Sequence, residues 1–277
     1  MGLRVNTNIA ALSAQRHMGT NNASQHRSLE RLASGSRINK AGDDAAGLAI
    51  SEKLKSHLRS MKQATRNAND GVSLVQVAEG AMNEISNILI RMRELSIQAS
   101  SDTIGDSERA FVDKEIQSLK SEVNRIANST EFNGTKLLNN SSPPLDFQVG
   151  IHNNADIDRF VFDTADKASD LKSLGITELS STSKSEAQGN LRKIDDAMDI
   201  LNRNRASLGA LQNRLASTIN NLHIYSENLS SANSRIRDTD MAEESSELTK
   251  SNILTQATVS VLTQANQNPQ LALKLIG

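Results

Sequence analysis

The sequence predicts a mainly α protein: long antiparallel helices forming a coiled-coil-like bundle, a small β-hairpin region, and paired terminal helices. Three observations carry this expectation. Aromatics are 2% of the 277 residues, with no Trp and a single Tyr, so the side chains that usually fill a compact core are missing. Gly and Pro are scarce, and Leu, Ile, Val, Ala and Met supply the apolar content, a profile of long helices packed side by side. Aliphatic residues also recur at alternating spacings of three and four over long stretches, a helical period that no strand sustains.

Each element follows from its own pattern. Near the start, Val5, Ile9, Leu12, Met18, Leu29 and Leu32 form a weak amphipathic helix. The stretch "LASGSRINKAGDDAAGLAI" at 32 to 50 then breaks the pattern with glycines and charges. A second apolar run covers about 45 to 100, beginning with Ile50, Leu54, Leu58 and Met61 and continuing through Val72, Val75, Ala78, Met82, Ile85, Leu89 and Met92. After the cap-rich link "SSDTIGDSERA" comes a third run, Val112, Ile116, Leu119, Val123 and Ile126, expected to fold back as an antiparallel partner. Between about 139 and 180, "LDFQVGI" and "IDRFVFD" flank the turn-rich "HNNAD" and read as a β-hairpin.

The cleanest signal is the heptad run from Leu191 to Ile236. Only Arg205, Gln212, Ser226 and Asn233 interrupt its aliphatic seam, which predicts a rod of roughly 70 Å at 1.5 Å per residue. Asp240 with Glu243 marks the start of a last helix, carrying Leu248, Ile253, Leu254, Ala257, Val261, Leu262, Leu271 and Leu273. "QNP" at 267 to 269 is expected to interrupt it. The first end is basic (Arg4, Arg16, Arg27, Arg31, Arg37, Lys40) and the last end acidic (Asp238, Asp240, Glu243, Glu244, Glu247), so the two ends are expected to meet. The domain expectation is a terminal helical unit, 1–44 with 237–277, and a helical rod unit, 45–236.

Several function classes lose their footing. A net charge of -1 leaves no nucleic-acid footprint. No apolar run approaches the roughly 20 residues that span a bilayer, so no membrane insertion is expected. The opening "MGLRVNTNIAALSAQ" lacks the apolar core of a signal peptide, and Val5-Asn6 lacks the Ser or Thr of a myristoylation signal. With no Cys there are no disulfides or thiolate metal sites, and His17, His26, His57, His152 and His223 lack ligand spacing. In "GSRINKAGDD" the Lys precedes the second Gly and no strand leads in, which is not a phosphate loop. No catalytic, cofactor or metal residues are expected; the chain does not read as an enzyme. What remains is assembly. The terminal stripes are too weak to fold alone, but paired with each other and with further copies they could bury a continuous core.

At this point a resemblance becomes visible. "VNTNIAALSAQR", "LASGSRINKAGDDAAGLAISEKL", "DGVSLVQVAEGAMNEISNILIRMRELSIQAS", "FNGTKLL" and "SRIRDTDMAEESSELTKSNILTQATVSVLTQANQNPQLALKLI" are similar, in this order, to the recognisable blocks of bacterial flagellins, in a short form lacking large central variable domains. The resemblance implies a structural subunit that is exported unfolded by the flagellar type III apparatus. Outside the cell it self-assembles into the flagellar filament, the helical propeller for swimming motility. A hook–filament junction protein shares the terminal architecture and is the nearest alternative.

The resemblance further implies that Val5, Ile9, Leu12, Leu254, Ala257, Val261, Leu262, Leu271 and Leu273 build the filament core. Gly35, Arg37, Lys40, Gly42, Asp43 and Asp44, in a joint at about 33–45, would connect an inner to an outer tube, with Arg37 and Lys40 placed to contact acidic neighbours. Implied partners are further copies of the chain, other flagellins, a secretion chaperone over the apolar C-terminal segment, and the filament cap and junction proteins. A flagellin-sensing Toll-like receptor would touch Arg91, Leu95 and Glu115; Ile88, Arg91 and Leu95 lie on a stripe beside the core stripe of Leu89 and Met92 and are expected to stand free in a single chain.

Overall fold

The computed structural model describes the backbone of residues 7–276 and the side chains of residues 7–267. The chain divides into two compact units, one comprising the residues up to Ser56 together with those from Glu227, the other His57–Ser226. The chain runs through α1 (Ile9–Ser34), α2 (Ala45–Ala99), α3 (Asp106–Ser129), β1 (Glu131–Phe132), β2 (Thr135–Lys136), β3 (Leu145–Gln148), the short α4 (Ala155–Asp158), β4 (Arg159–Phe162), α5 (Lys184–Arg237) and α6 (Met241–Ile276).

The His57–Ser226 unit is built on the stripes that the sequence displays. From α2 come Val75, Ala78, Met82, Ile85, Leu89 and Met92, from α3 Ile116 and Val123, and from α5 Ile194, Leu201, Leu208 and Leu215; all are buried in one cluster. The four α5 residues sit seven apart, as a coiled-coil seam requires. Polar contacts tie the helices at the edges: Arg93 Nε donates to Asp195 Oδ1 at 2.8 Å and Lys184 Nζ to Asp102 Oδ2 at 2.6 Å.

The expected hairpin is present. β3 and β4 pair antiparallel with Leu145 opposite Phe162 and Phe147 opposite Phe160. It lies on α2, where Asn67 Nδ2 donates to the Gln148 carbonyl at 3.0 Å and Gly71 leaves room for the Phe147 ring, which an added methyl would approach to 3.3 Å. The Arg214 guanidinium covers the Phe160 ring at 4.5 Å. A second hairpin, β1 with β2, was not part of the sequence expectation. Its turn is Asn133-Gly134, both at positive φ (49° and 79°), the Asn-Gly pairing that a two-residue hairpin favours.

Arg109 closes the α2–α3 link. Its guanidinium is buried and donates to the Ala99 carbonyl (Nε, 2.9 Å) and the Ser101 carbonyl (Nη2, 2.7 Å). The last turn of α2 has no basic residue of its own, so α3 supplies the positive charge that its terminal carbonyls favour.

One expectation is corrected at the C-terminus. "QNP" does not interrupt the last helix; α6 continues through Pro269 to Ile276. A proline inside a helix removes one i→i−4 hydrogen bond but does not prevent the backbone from remaining helical when the freed carbonyl finds another donor.

Candidate assembly surfaces and the joint

In the terminal unit α1 and α6 pack antiparallel, joined by a ladder of polar contacts. Asn8 Nδ2 donates to the Ala265 carbonyl at 2.8 Å, Asn21 Nδ2 to Thr258 Oγ1 at 3.2 Å and Gln25 Nε2 to Asn252 Oδ1 at 2.7 Å, and Arg31 pairs with Glu244 at 3.4 Å. The basic first end does meet the acidic last end. Among the described residues of this unit the buried apolar side chains are Ala14, Ile38 and Ala265, and small polar Ser28 and Ser251 are buried with them. Small residues let the two backbones approach but bury little apolar area.

Several large aliphatic residues face away from this pairing. Ile9 is 60% exposed, Leu12 54%, Ile253 61%, Leu254 43% and Val261 56%. Ala257 is also exposed and Leu262 half-buried. Covering side chains that stand about half exposed contributes on the order of 1 kcal/mol each. Several together form an unpartnered apolar surface of the kind that marks an interaction site. Val5 lies outside the described residues, and Leu271 and Leu273 lie on α6 with side chains outside them.

The joint is a pinned crossing within the same unit. Gly35 ends α1 in the left-handed conformation (φ 67°), its N–H donating to the Arg31 carbonyl at 2.8 Å, a conformation that L side chains adopt only with strain. Ser36 then forms an antiparallel bridge with Asp238. Arg37 N–H donates to the Arg237 carbonyl at 2.6 Å and Thr239 N–H to the Gly35 carbonyl at 3.0 Å. The Arg37 guanidinium donates to the Ile236 carbonyl at 2.8 Å, so within the chain it meets a carbonyl where a carboxylate was expected. Lys40 does find an acidic neighbour, Glu30, at 2.8 Å; that hydrogen bond and the Glu30 charge raise its pKa above the ordinary value.

Asp43 accepts from the backbone N–H groups of Lys40 (3.0 Å) and Asn39 (3.1 Å), which hold its carboxyl below the usual range. Asp44 Oδ1 accepts from Gly47 N–H at 2.8 Å, as the N-cap of α2. Gly42 sits in the intervening turn with open space around it. Three participants were missed in the sequence. Ile38, 2% exposed, is the plug of the joint; its signal was being the one large aliphatic among polar neighbours. Gly47 packs tightly, since an added methyl would lie 2.4 Å from Asp44 Oδ2 and 2.8 Å from Ile38 Cδ1 and one of these side chains would have to shift. Arg237, which contributes its carbonyl to the crossing and its guanidinium to an ion pair with Glu52, carried no local signal.

The expected receptor-contact residues are not all free. Leu95 is 2% exposed and belongs to the helical core. Ile88, on the same stripe, also packs against that core. The reason is geometric: α3 and α5 both pack on α2, so the buried arc is wider than the Leu89–Met92 stripe alone. Arg91 and Glu115 are exposed but bound to each other at 2.9 Å, and Glu94 joins them at 3.1 Å. Glu115 first, then Glu94, raise the Arg91 pKa through these hydrogen bonds.

Among the described residues no group of three or more His, Asp or Glu side chains could hold a metal ion, and no helix is long and apolar enough to cross a membrane. Polar ladders inside and aliphatic residues outside are the pattern of a self-assembling structural subunit. Comparison with known proteins says which one. Residues 5–142 match the bacterial flagellin N-terminal helical region and residues 191–276 the bacterial flagellin C-terminal helical region. The chain is 44% identical to a flagellin of Halalkalibacterium halodurans, over 98% of this chain and 99% of that one. It is 41% identical to a flagellin of Bacillus subtilis, over 99% and 100%. The crystal structure of Bacillus cereus flagellin superposes with a TM-score of 0.51 at 32% identity, covering 57% of this chain and 88% of that one. The chain therefore belongs to the bacterial flagellin family, structural proteins whose subunits self-assemble into the extracellular flagellar filament.

Proposed function

We propose that the terminal unit is the polymerising core of this filament subunit and that the outward faces of α1 and α6 are its subunit contacts. The observation that carries this reading is the inversion of the unit, with small and polar residues between the helices and Ile9, Leu12, Leu254 and Val261 outside. A helix pair built this way gains its apolar burial from neighbouring copies. The joint around Gly35–Asp44 connects this core to the helical rod unit and holds its charges in fixed local pairs.

The finer partners belong to the same reading. The apolar C-terminal segment is the surface a secretion chaperone would cover before type III export. Other flagellins, the filament cap and junction proteins would meet the same terminal helices. Contact with a flagellin-sensing receptor is proposed through the exposed Arg91–Glu115 pair, with Leu95 supporting the helix from beneath. Seeded polymerisation of purified chain, followed by electron microscopy, tests the core proposal. Filaments that grow from seeds with a gain of helix on circular dichroism support it; a chain that binds seeds but never elongates them overturns it.

A further inference from the structure

The contact between Asn8 and Ala265 has a reason that neither residue shows alone. In an α-helix the carbonyl of residue 265 accepts from the N–H of residue 269. That residue is Pro269, which has no N–H, and α6 nevertheless runs unbroken from Met241 to Ile276. The Ala265 carbonyl therefore loses its ordinary helical donor while its residue is 95% removed from solvent, being 5% exposed. Asn8 Nδ2 donates to this carbonyl at 2.8 Å. The other end of the same amide is also engaged. Asn8 Oδ1 accepts from Ala11 N–H at 3.1 Å as the N-cap of α1. One side chain thus starts the first helix and repairs the last.

We propose that Asn8 fixes the register at the open end of the terminal pair, opposite the end that the Ser36–Asp238 bridge pins, as a surrogate donor for the carbonyl that Pro269 orphans. Between Asn8 and the Arg31–Glu244 pair near the joint, Asn21–Thr258 and Gln25–Asn252 are side-chain pairs that a shift along the helix could remake with other Asn, Gln, Ser or Thr residues. The Pro269 gap occurs once in α6, so only one alignment of α1 fills it. A polar pairing withdrawn from solvent that fixes register at little gain in stability is a recognised role for such groups, and the Asn8–Ala265 bond is partly buried. The amide is the side chain suited to this place. Asp or Ser could cap α1, but an ionised Asp has no donor for the carbonyl, and Ser is too short to serve both.

The test separates the two halves of the amide. Asn8→Asp keeps the cap acceptor and removes the donor. Pro269→Ala returns a backbone N–H to the Ala265 carbonyl and makes the donor redundant. Amide hydrogen exchange over residues 9–20 is measured in the full-length chain, both soluble and assembled, for wild type, Asn8→Asp, Pro269→Ala and the double variant. In whichever form protects α1, Asn8→Asp should lower protection by roughly tenfold or more, the cost of an unsatisfied buried carbonyl. In the Pro269→Ala background the same change should alter it by less than about twofold. Equal losses in both backgrounds would overturn the proposal, as would no loss in wild type or no protection of α1 in either form. The inference rests on the pairing of α1 with α6; a wild-type chain that protects α1 but forms no filaments would sink the assembly reading and leave this one standing.

Discussion

Replacing Arg109 with Met removes a buried guanidinium that holds two carbonyls at the end of a 55-residue helix. Hydrogen bonds to charged groups contribute about 1.5–3 kcal/mol each. The two carbonyls are not equivalent. Ala99 is 0% exposed and its carbonyl would be left dry, whereas Ser101 is partly exposed and can recover water. The expected cost is therefore about 3 kcal/mol, below the sum of two full bonds. For a domain of 150–250 residues this lowers Tm by roughly 6–12 °C, at 2–4 °C per kcal/mol. Thermal melting followed by far-ultraviolet circular dichroism reads it directly. Two controls fix the cause. Arg109→Lys can serve one carbonyl and should fall between Met and wild type. Asp106→Ala removes a carboxylate whose side chain is 95% exposed, so it should cost no more than about 1 kcal/mol. If Arg109→Met melted within a degree or two of wild type, the capping account of the α2–α3 link would be refuted.

Two further outcomes are expected. Leu201→Ala, at a fully buried seam position of α5, should cost about 2–5 kcal/mol by chemical denaturation, whereas Leu254→Ala on the outward face should leave the single chain within about 0.5 kcal/mol of wild type. The joint should be tightest between mild acid and mild alkali. Asp43 has a lowered pKa in the folded chain, so its contribution is present above the ordinary aspartate range near pH 4 and is lost as pH falls through the folded value; Lys40 has a raised pKa, so its contribution is present below about pH 10.4 and is lost as pH rises through the folded value. Hydrogen exchange over residues 35–44, corrected for intrinsic rates, should rise at both extremes, and Lys40→Met should remove the alkaline limb alone.

The parts of the fold that could be read in the sequence are those where one period runs long enough to exclude other structures. The α5 seam at Ile194, Leu201, Leu208 and Leu215 is such a case, and so is the alternation in "LDFQVGI". Features set by a partner far along the chain could not be read. Arg109, three residues into a helix, looks like a solvated side chain until α2 ends beside it. Leu95 looks peripheral to the Leu89–Met92 stripe until two helices pack on α2 and widen the buried arc. Pro269 looks like a helix stop because its missing N–H is visible and the compensating donor, Asn8, is not. In the joint, the break at "LASGSRINKAGDDAAGLAI" was legible from its glycines and charges, whereas the left-handed cap at Gly35 and the N-cap at Asp44 appear only in the folded chain. The bridge from Ser36 to Asp238 was not, since nothing near either residue names the other.

The central claim is that the outward aliphatic residues of α1 and α6 serve contacts between copies rather than the fold of one chain. The most direct measurement is seeded elongation by an Ile9→Asp, Leu254→Asp, Val261→Asp triple variant, followed by light scattering and electron microscopy, with the melting of the helical unit recorded alongside. The expected result is a soluble chain whose His57–Ser226 unit melts as in wild type and which adds nothing to seeds. Filaments growing at the wild-type rate from this variant would contradict the claim.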